Sequence, residues 1–296
     1  MRIDAQSKVE RVKPLFYWMA FAFATFAAEA QSDVQRDIEF ASVDGTALRL
    51  DLYLAQKQSG PLIVYVHGGA WRSGSKSEMP LGQLIKEGCP VAAVDYRLST
   101  VAKFPAQAHD IKAAIRYLRG NAKKLRLDAS RIVIAGSSAG GHLAALVGVS
   151  NGDKRLEGDL GDYTDQSSDV QGIISFFGAS DLTTILSQST PHGLSVRRPA
   201  LELLLGSLPD DNEALAKLAS PVFHVDKNDP PLLLLHGDRD PQMPINQAHQ
   251  LQGAYEAVKA RVQFKVLHGA THGGKVFYEP AQMKLVKGFL DSLGEK

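Results

Sequence analysis

One cysteine in 296 residues, Cys89, excludes an internal disulfide. It lies in an apolar stretch ahead of Pro90 and reads as a small buried core residue. An excess of charge of one sign is also missing. Lys and Arg number 33 against 32 Asp and Glu, a formal net charge of +1. No basic block interrupts that balance, so neither nucleic acid nor an anionic membrane surface is an expected partner. The chain has no H-E-x-x-H and no second cysteine to give metal-ligand spacing, so no metal and no cofactor is expected. Internal repeats and low-complexity linkers are absent as well. Apolar residues make up 44% and charged residues 22%, ordinary values for a packed globular chain, and the reading is a single domain.

Long hydrophobic runs are scarce. The uncharged stretch Leu15 to Ala28 is short of the roughly 20 residues a membrane helix needs. Arg2, Lys8, Arg11 and Lys13 precede or flank it, and Ala28 and Ala30 stand at the −3 and −1 positions of a cleavage site. Residues 1–30 therefore read as a secretory signal peptide cut after Ala30, leaving 31–296 as the mature domain in a periplasm or outside the cell. The lack of paired cysteines is compatible with a bacterial compartment of that kind.

What remains alternates between strand and helix patterns. Arg36–Ser42 and Ala47–Leu54 flank Asp44-Gly45 and read as an antiparallel hairpin. Apolar runs at Pro61–His67, Pro90–Tyr96, Ile132–Ala135, Val170–Phe177, Pro231–His236 and Arg261–Leu267 read as buried strands. Helical spacing is expected over Ser77–Gly88, Ala106–Leu125, Gln247–Lys259 and Glu279–Leu293. Residues 151–169 look like a polar surface insertion. Residues 178–221 hold two further helical segments, near Val196–Leu205 and Asp211–Ala219, and look like a small lid. Strands alternating with helices after an initial hairpin call for a mostly parallel sheet with helices on both faces.

The stretch Ile132 to His142 organises the rest. A short apolar strand runs into Gly136-Ser-Ser-Ala-Gly140, a G-x-S-x-G, and Leu143, Leu146 and Val147 then recur at helical spacing. Strand, sharp turn and helix are the context in which such a serine becomes an exposed nucleophile. The helix N-terminus behind Ser138 favours the negative charge that would develop there. A serine hydroxyl needs a base, and the base needs an orienting acid. Both should follow later strands, because sites in open parallel sheets form beyond the strands' carboxyl ends.

His236-Gly-Asp-Arg-Asp240 and His268-Gly-Ala-Thr-His272 occupy such positions, in the order serine, acid, base. The acid stays open between Asp238 and Asp240, with Asp181 a distant rival that reads more simply as a helix N-cap. His272, in a Gly-rich loop, is the candidate base, while His268 is expected to pack or hydrogen-bond locally. His142 reads as a satisfied core histidine, and His67 and His236 as braces for neighbouring loops.

These residues, together with His67-Gly-Gly-Ala-Trp71, Val94-Asp-Tyr-Arg97, Phe104-Pro105 leading to Asp110, Asp240-Pro-Gln-Met-Pro244 and His272-Gly-Gly274, resemble the α/β-hydrolase superfamily. The similarity is to its esterase branch, near the hormone-sensitive-lipase-like and carbohydrate or feruloyl esterases, and runs from about Asp44 to the C-terminus. The resemblance implies the α/β-hydrolase fold and a triad of Ser138, His272 and Asp240, with Asp238 left as a turn residue. It also implies oxyanion donors at Gly69, Ala70 and Ala139, and a substrate-pocket wall at Trp71. Asp110 and the Asp95-Tyr96-Arg97 segment would form a structural ion pair beneath the site. Ala70 stands where the lipase-type loop has a third glycine, which points away from bulky tertiary-alcohol esters.

The expected activity is carboxylic ester hydrolysis through an acyl-enzyme, on short acyl esters or on acetyl or feruloyl groups of a polysaccharide. An amidase, formamidase or exopeptidase on the same fold is the second reading. A hydrolase fold used only for binding is the third, disfavoured because no triad member is missing.

Overall fold

The computed structural model describes residues 33–294, so the expected signal peptide lies outside the described residues. The strands are β1 (Asp33–Val43), β2 (Thr46–Leu54), β3 (Leu62–Val66), β4 (Val91–Val94), β5 (Ile132–Ser137), β6 (Gly172–Phe176), β7 (Leu232–Gly237) and β8 (Val262–Leu267). Between and after them run α1 (Gly82–Lys86), α2 (Ala106–Gly120), α3 (Ala122–Leu125), α4 (Ala139–Val149), α5 (Lys154–Glu157), α6 (Ile185–Gln188), α7 (Pro191–Leu205), α8 (Glu213–Leu218), α9 (Asn246–Ala257) and α10 (Pro280–Ser292). β1 and β2 turn at Asp44-Gly45, where both residues have positive φ, 49° and 77°. An Asp-Gly pair meets that demand at low cost, and the turn's twist suits a hairpin.

The eight strands form one sheet in the order β1-β2-β4-β3-β5-β6-β7-β8, antiparallel at the β1–β2 and β2–β4 pairs and parallel from β4 onward. This is the α/β-hydrolase architecture that the motifs imply. The central strands are buried on both faces, which is why they read as continuous apolar runs. Val64, Val66, Ile132, Ile134, Leu232 and Leu234 face the layer that includes α2, α4, α7 and α9. Ile63, Tyr65, Val133, Ala135, Leu233 and Leu235 face the layer that includes α1 and α10. Cys89 is buried in that second layer, where burial pushes its thiol up to about 11.

Several boundaries differ from the periodicity for identifiable reasons. The expected helix over Ser77–Gly88 shortens to α1, because Pro80 lacks an amide donor and disfavours helical backbone at Met79. The expected Ala106–Leu125 helix is interrupted at Asn121. Tyr163 packs where a side chain at Gly120 would stand, only 2.1 Å from an ideal Cβ, and its hydroxyl donates to Asn121 Oδ1 at 3.1 Å. Helix α7 begins earlier than its apolar spacing suggests, because Thr190 Oγ1 accepts from Gly193 N at 3.0 Å and Pro191 follows the cap.

Residues 151–169 are more than a surface insertion. Glu157 accepts from the fully buried Lys112 (3.0 Å) and Arg116 (2.5 Å) of α2. The segment 178–221 is packed rather than free-standing. Its Leu182, Ile185, Leu201, Leu204 and Ala216 belong to the main core, and Phe104 N donates to Leu204 O at 2.8 Å.

Beneath the loops at the strands' carboxyl ends, Asp110 is wholly buried and accepts four hydrogen bonds from Arg97, three from the guanidinium and one from the backbone amide, at 2.7–3.0 Å. Asp95 stands apart from this pair and accepts from Lys76 N at 2.7 Å. Removing one partner of a buried pair leaves the other charge uncompensated. Asp110→Ala should therefore lower stability by about 3–5 kcal/mol, read as a lower guanidinium midpoint. A joint Arg97→Met, Asp110→Leu change should recover much of that loss. A single variant with an unchanged midpoint would show that the pair is not stabilising the loops above it.

Candidate active site

The register brings five strand ends to one edge of the sheet. Val66 pairs with Gly136, Ser137 with Phe176, Phe176 with Leu235, and Gly237 with Leu267. β4 and β5 lie on opposite sides of β3, so the chain reverses its direction of travel across the sheet between β3 and β5. A crevice opens at such a switch point, and the loops after β3 and β5 are the ones that carry Gly68–Trp71 and Ser138.

Ser138 sits at φ 54°, ψ −117°, between β5 and α4. The turn is possible only because α4 starts almost in contact with its neighbours. A Cβ on Gly136 would stand 2.2 Å from Gly140 O, and one on Gly140 would stand 2.1 Å from Val66 O. Both glycines are therefore required by close backbone approach. The Ser138 amide donates to Phe176 O at 2.9 Å, and its carbonyl accepts from His142 N at 3.0 Å. These bonds tie the turn to β6 and to the first turn of its own helix.

The structure brings Ser138, His272 and Asp240 together. Ser138 Oγ lies 2.9 Å from His272 Nε2, and His272 Nδ1 lies 2.7 Å from Asp240 Oδ2. With the imidazole neutral, Nδ1–H donates to the carboxylate and Nε2 is free to accept from the serine hydroxyl. The Asp240 carboxylate is fully buried; its other oxygen accepts from the amides of Gln242 and Met243, both at 2.8 Å. Asp238 points elsewhere, accepting from His268 Nδ1 and Gly269 N, each at 2.7 Å, on the exposed rim. Asp181 turns its Oδ1 to Thr183 N at 2.9 Å and takes no part.

On the other side of the serine, a Cβ on Gly68 would lie 3.4 Å from Ser138 Cβ, so the loop after β3 runs directly against the turn. Gly69, Ala70 and Trp71 all have positive φ, at 101°, 51° and 59°. Gly69 O accepts from Arg72 N, Ser73 N and Ser73 Oγ, which closes the loop on itself. The amides of Gly69, Ala70 and Ala139 have no acceptor among the described residues, as donors reserved for a substrate oxygen would. Trp71 does not line the pocket as expected. It is fully buried, and its indole N–H donates to His142 Nδ1 at 3.1 Å, so it anchors the loop from below.

Residues 50–255 match the BD-FAE family. The chain belongs to that family. Its members are esterases of the α/β-hydrolase type. A curated relative, the esterase LipC of Mycobacterium tuberculosis, is 32% identical over 217 residues, 72% of this chain and 53% of LipC. The chain thus spans about half the length of the curated relatives it matches. Among solved structures, a truncated carbohydrate esterase from gut microbiota superposes with a TM-score of 0.79 at 32% identity, covering 91% of this chain and 99% of that one. A thermophilic esterase from the planctomycete Thermogutta terrifontis, solved with propionate bound, gives a TM-score of 0.71 at 26% identity, with 90% and 95% covered.

The BD-FAE match ends before His272, so the placement of that imidazole rests on geometry. Phe177, at the end of β6, meets the His272 ring edge-on with centroids 5.0 Å apart. The fully buried His236 reaches Asp240 Oδ2 at 3.4 Å while its Nε2 donates to Met243 O at 3.0 Å. Thr190 Oγ1 and Arg197 Nε, both from the segment holding α7, donate to Pro241 O (2.7 Å) and Gln242 O (3.2 Å). The sequence marks His236 only as a loop brace and gives no signal for the other three, apart from the aromatic pair ending β6. Among the described residues no three His, Cys, Asp or Glu side chains are grouped as a metal ion would require.

Burial alone would raise Asp240, yet hydrogen bonds from His236, His272 and the Met243 amide hold its carboxyl well below the ordinary carboxylate range. A carboxyl depressed in the folded state stabilises the fold above its unfolded value of about 3.9, and that contribution is lost as pH falls through the folded value. Urea midpoints should therefore drop between about pH 4 and pH 2, and Asp240→Asn should make that drop shallower. An equally steep drop in the variant would show that this carboxylate carries no share of the acid sensitivity.

Proposed function

We propose that this chain is a secreted serine carboxylesterase in which Ser138 is the nucleophile, His272 the general base and acid, and Asp240 the residue that orients the imidazole. The observation that carries the reading is the unbroken line of hydrogen bonds from Ser138 Oγ through His272 to Asp240, at 2.9 Å and 2.7 Å. Ser138 attacks the ester carbonyl while its proton passes to His272 Nε2. Negative charge then develops on the carbonyl oxygen, and the amides of Gly69, Ala70 and Ala139 receive it. Collapse of the tetrahedral intermediate sends the proton from His272 to the departing alkoxide and leaves an acyl-serine. Water attacks the acyl group by the same route in reverse. Asp240, already ionised and buried, stabilises the imidazolium that forms twice in each turnover without itself taking the proton.

The substrate class we favour is a short acyl ester, with acetyl or feruloyl groups on a polysaccharide as the natural form. Ser138 is only 8% exposed and the His272 side chain 12%, which suits a small acyl group entering a narrow opening. The likeness to a carbohydrate esterase over nearly all of that truncated chain supports the polysaccharide side of the reading. Export is supported by the basic, apolar and small-residue pattern of residues 1–30.

Ser138→Ala should lower turnover of p-nitrophenyl acetate by at least about 10⁴-fold and leave the circular dichroism spectrum unchanged; retained turnover would refute the assignment. A series of nitrophenyl esters of rising chain length, run beside acetylated xylan, methyl ferulate and one ester with its matched amide, then defines the acyl group. Preference for the amide would transfer the reading to an amidase. For export, Edman sequencing of protein recovered from a periplasmic or culture fraction should start at Gln31, and an intact Met1 in that fraction would exclude cleavage.

A further inference from the structure

We infer that His142, outside the triad, is a positioning residue for the oxyanion loop: its neutral ring fastens that loop to the serine helix and to the end of α8. This rests on the esterase reading above.

Two consecutive side-chain-bearing residues, Ala70 and Trp71, hold left-handed backbone at φ 51° and 59°. Such a conformation costs of order 1–2 kcal/mol at each residue, so it persists only where the surroundings over-determine it. Ala70 also carries one of the amides that point to the substrate oxygen, so the accuracy of that donor depends on what holds the pair. The Trp71 side chain is the anchor. It is wholly buried, and its single polar atom is a donor with no alternative role.

The acceptor it finds is His142 Nδ1, at 3.1 Å, with the rings edge to face at 5.3 Å. Because an indole N–H can only donate, Nδ1 must be bare and the ring proton must sit on Nε2. That proton is donated to the carbonyl of Ala219, which closes α8, at 2.6 Å. His142 is wholly buried, and burial pushes it down to about 4, so the neutral form prevails near neutrality.

The backbone of the same residue donates to Ser138 O at 3.0 Å. One histidine thus joins three segments, around positions 71, 138 and 219, at fixed mutual distance. A purely structural histidine would need only the packing. Here both ring nitrogens are committed in opposite senses, one to the loop after β3 and the other to the end of α8.

The two commitments can be separated. The amide oxygen of asparagine stands near the place of Nδ1, and the terminal group of glutamine near the place of Nε2. His142→Asn keeps an acceptor for Trp71 and drops the bond to Ala219, whereas His142→Gln does the reverse. Trp71→Phe removes the indole donor and keeps an aromatic ring, so it carries the test should either His142 variant fold poorly.

With p-nitrophenyl acetate, His142→Gln and Trp71→Phe should each lower kcat by about 10–100-fold, a misplaced donor being of that order. KM should stay within about twofold, as expected for an interaction made in the transition state. His142→Asn should stay within about fivefold of wild-type kcat, because a loop held correctly keeps its donor in place. The rate ratio of an oxygen ester to its thiono analogue should fall in step with kcat, since a sulfur anion draws less from amide donors. Loss of thermal stability alone would not move that ratio.

The inference is overturned if both Trp71→Phe and His142→Gln keep wild-type kcat and an unchanged ratio. If the wild-type enzyme is active and Ser138→Ala is dead in that same experiment, the esterase reading survives it. A wild-type protein inert toward every ester overturns both.

Discussion

The whole arrangement depends on how closely the start of α4 approaches the end of β3. Two backbones cross at Gly136 and Gly140 with no room for a methyl group, and the serine between them is forced into a conformation that side-chain-bearing residues avoid. That crossing fixes Ser138 against the centre of the sheet. It also presses the loop after β3 against the serine, so the hydroxyl and the amides of Gly69, Ala70 and Ala139 share one frame. Backbone crossings of this kind tolerate no intermediate positions, because interiors are packed at crystal-like density.

Around that fixed point, the remaining parts are held by hydrogen bonds among side chains and loop backbone. Asp240 receives two backbone amides and reaches two histidines, and its loop is clamped from outside by Thr190 and Arg197. Arg97 and Asp110 do the equivalent beneath the β3 and β4 loops. A low-dielectric interior makes each such bond stronger and each vacancy costlier, so networks of this type specify one arrangement rather than adding much net stability. The site is thus over-determined on the Ser138 side by backbone crossing and on the Asp240 side by hydrogen bonds.

Most of the fold was legible because its signals are local. Apolar runs at Ile132–Ala135 and Pro231–His236 need no partner to be read as buried strands, and the spacing of Gly136, Ser138 and Gly140 is itself a statement about backbone. Asp240 needed more, since only a family resemblance separates it from Asp238 two residues away; in space the two carboxylates serve different histidines. Trp71 was misread because a large aromatic beside a site serves equally as wall or as anchor. What decides between these is an imidazole 71 residues further along the chain.

The same blindness to long-range partners hid Glu157. A polar stretch rich in Gly, Asp and Ser looks solvated until the buried Lys112 and Arg116, more than 40 residues earlier, are seen to face it. Local breakers divide otherwise: Pro80 stood in the sequence and the expected helix still ran through it, whereas the interruption at Asn121 involves a tyrosine from another segment and had no local signal.

The outermost strand of the sheet, β8, alternates between half-buried and exposed positions along most of its length and has a neighbour on one side only. Its trailing loop carries His272, while Ser138 follows a central strand. Regions with few apolar contacts open with less free energy than the core, so His272 hangs from a strand held less tightly than the buried one that leads to Ser138. On the reading proposed above, heat should part His272 from Ser138 before it dismantles the central strands.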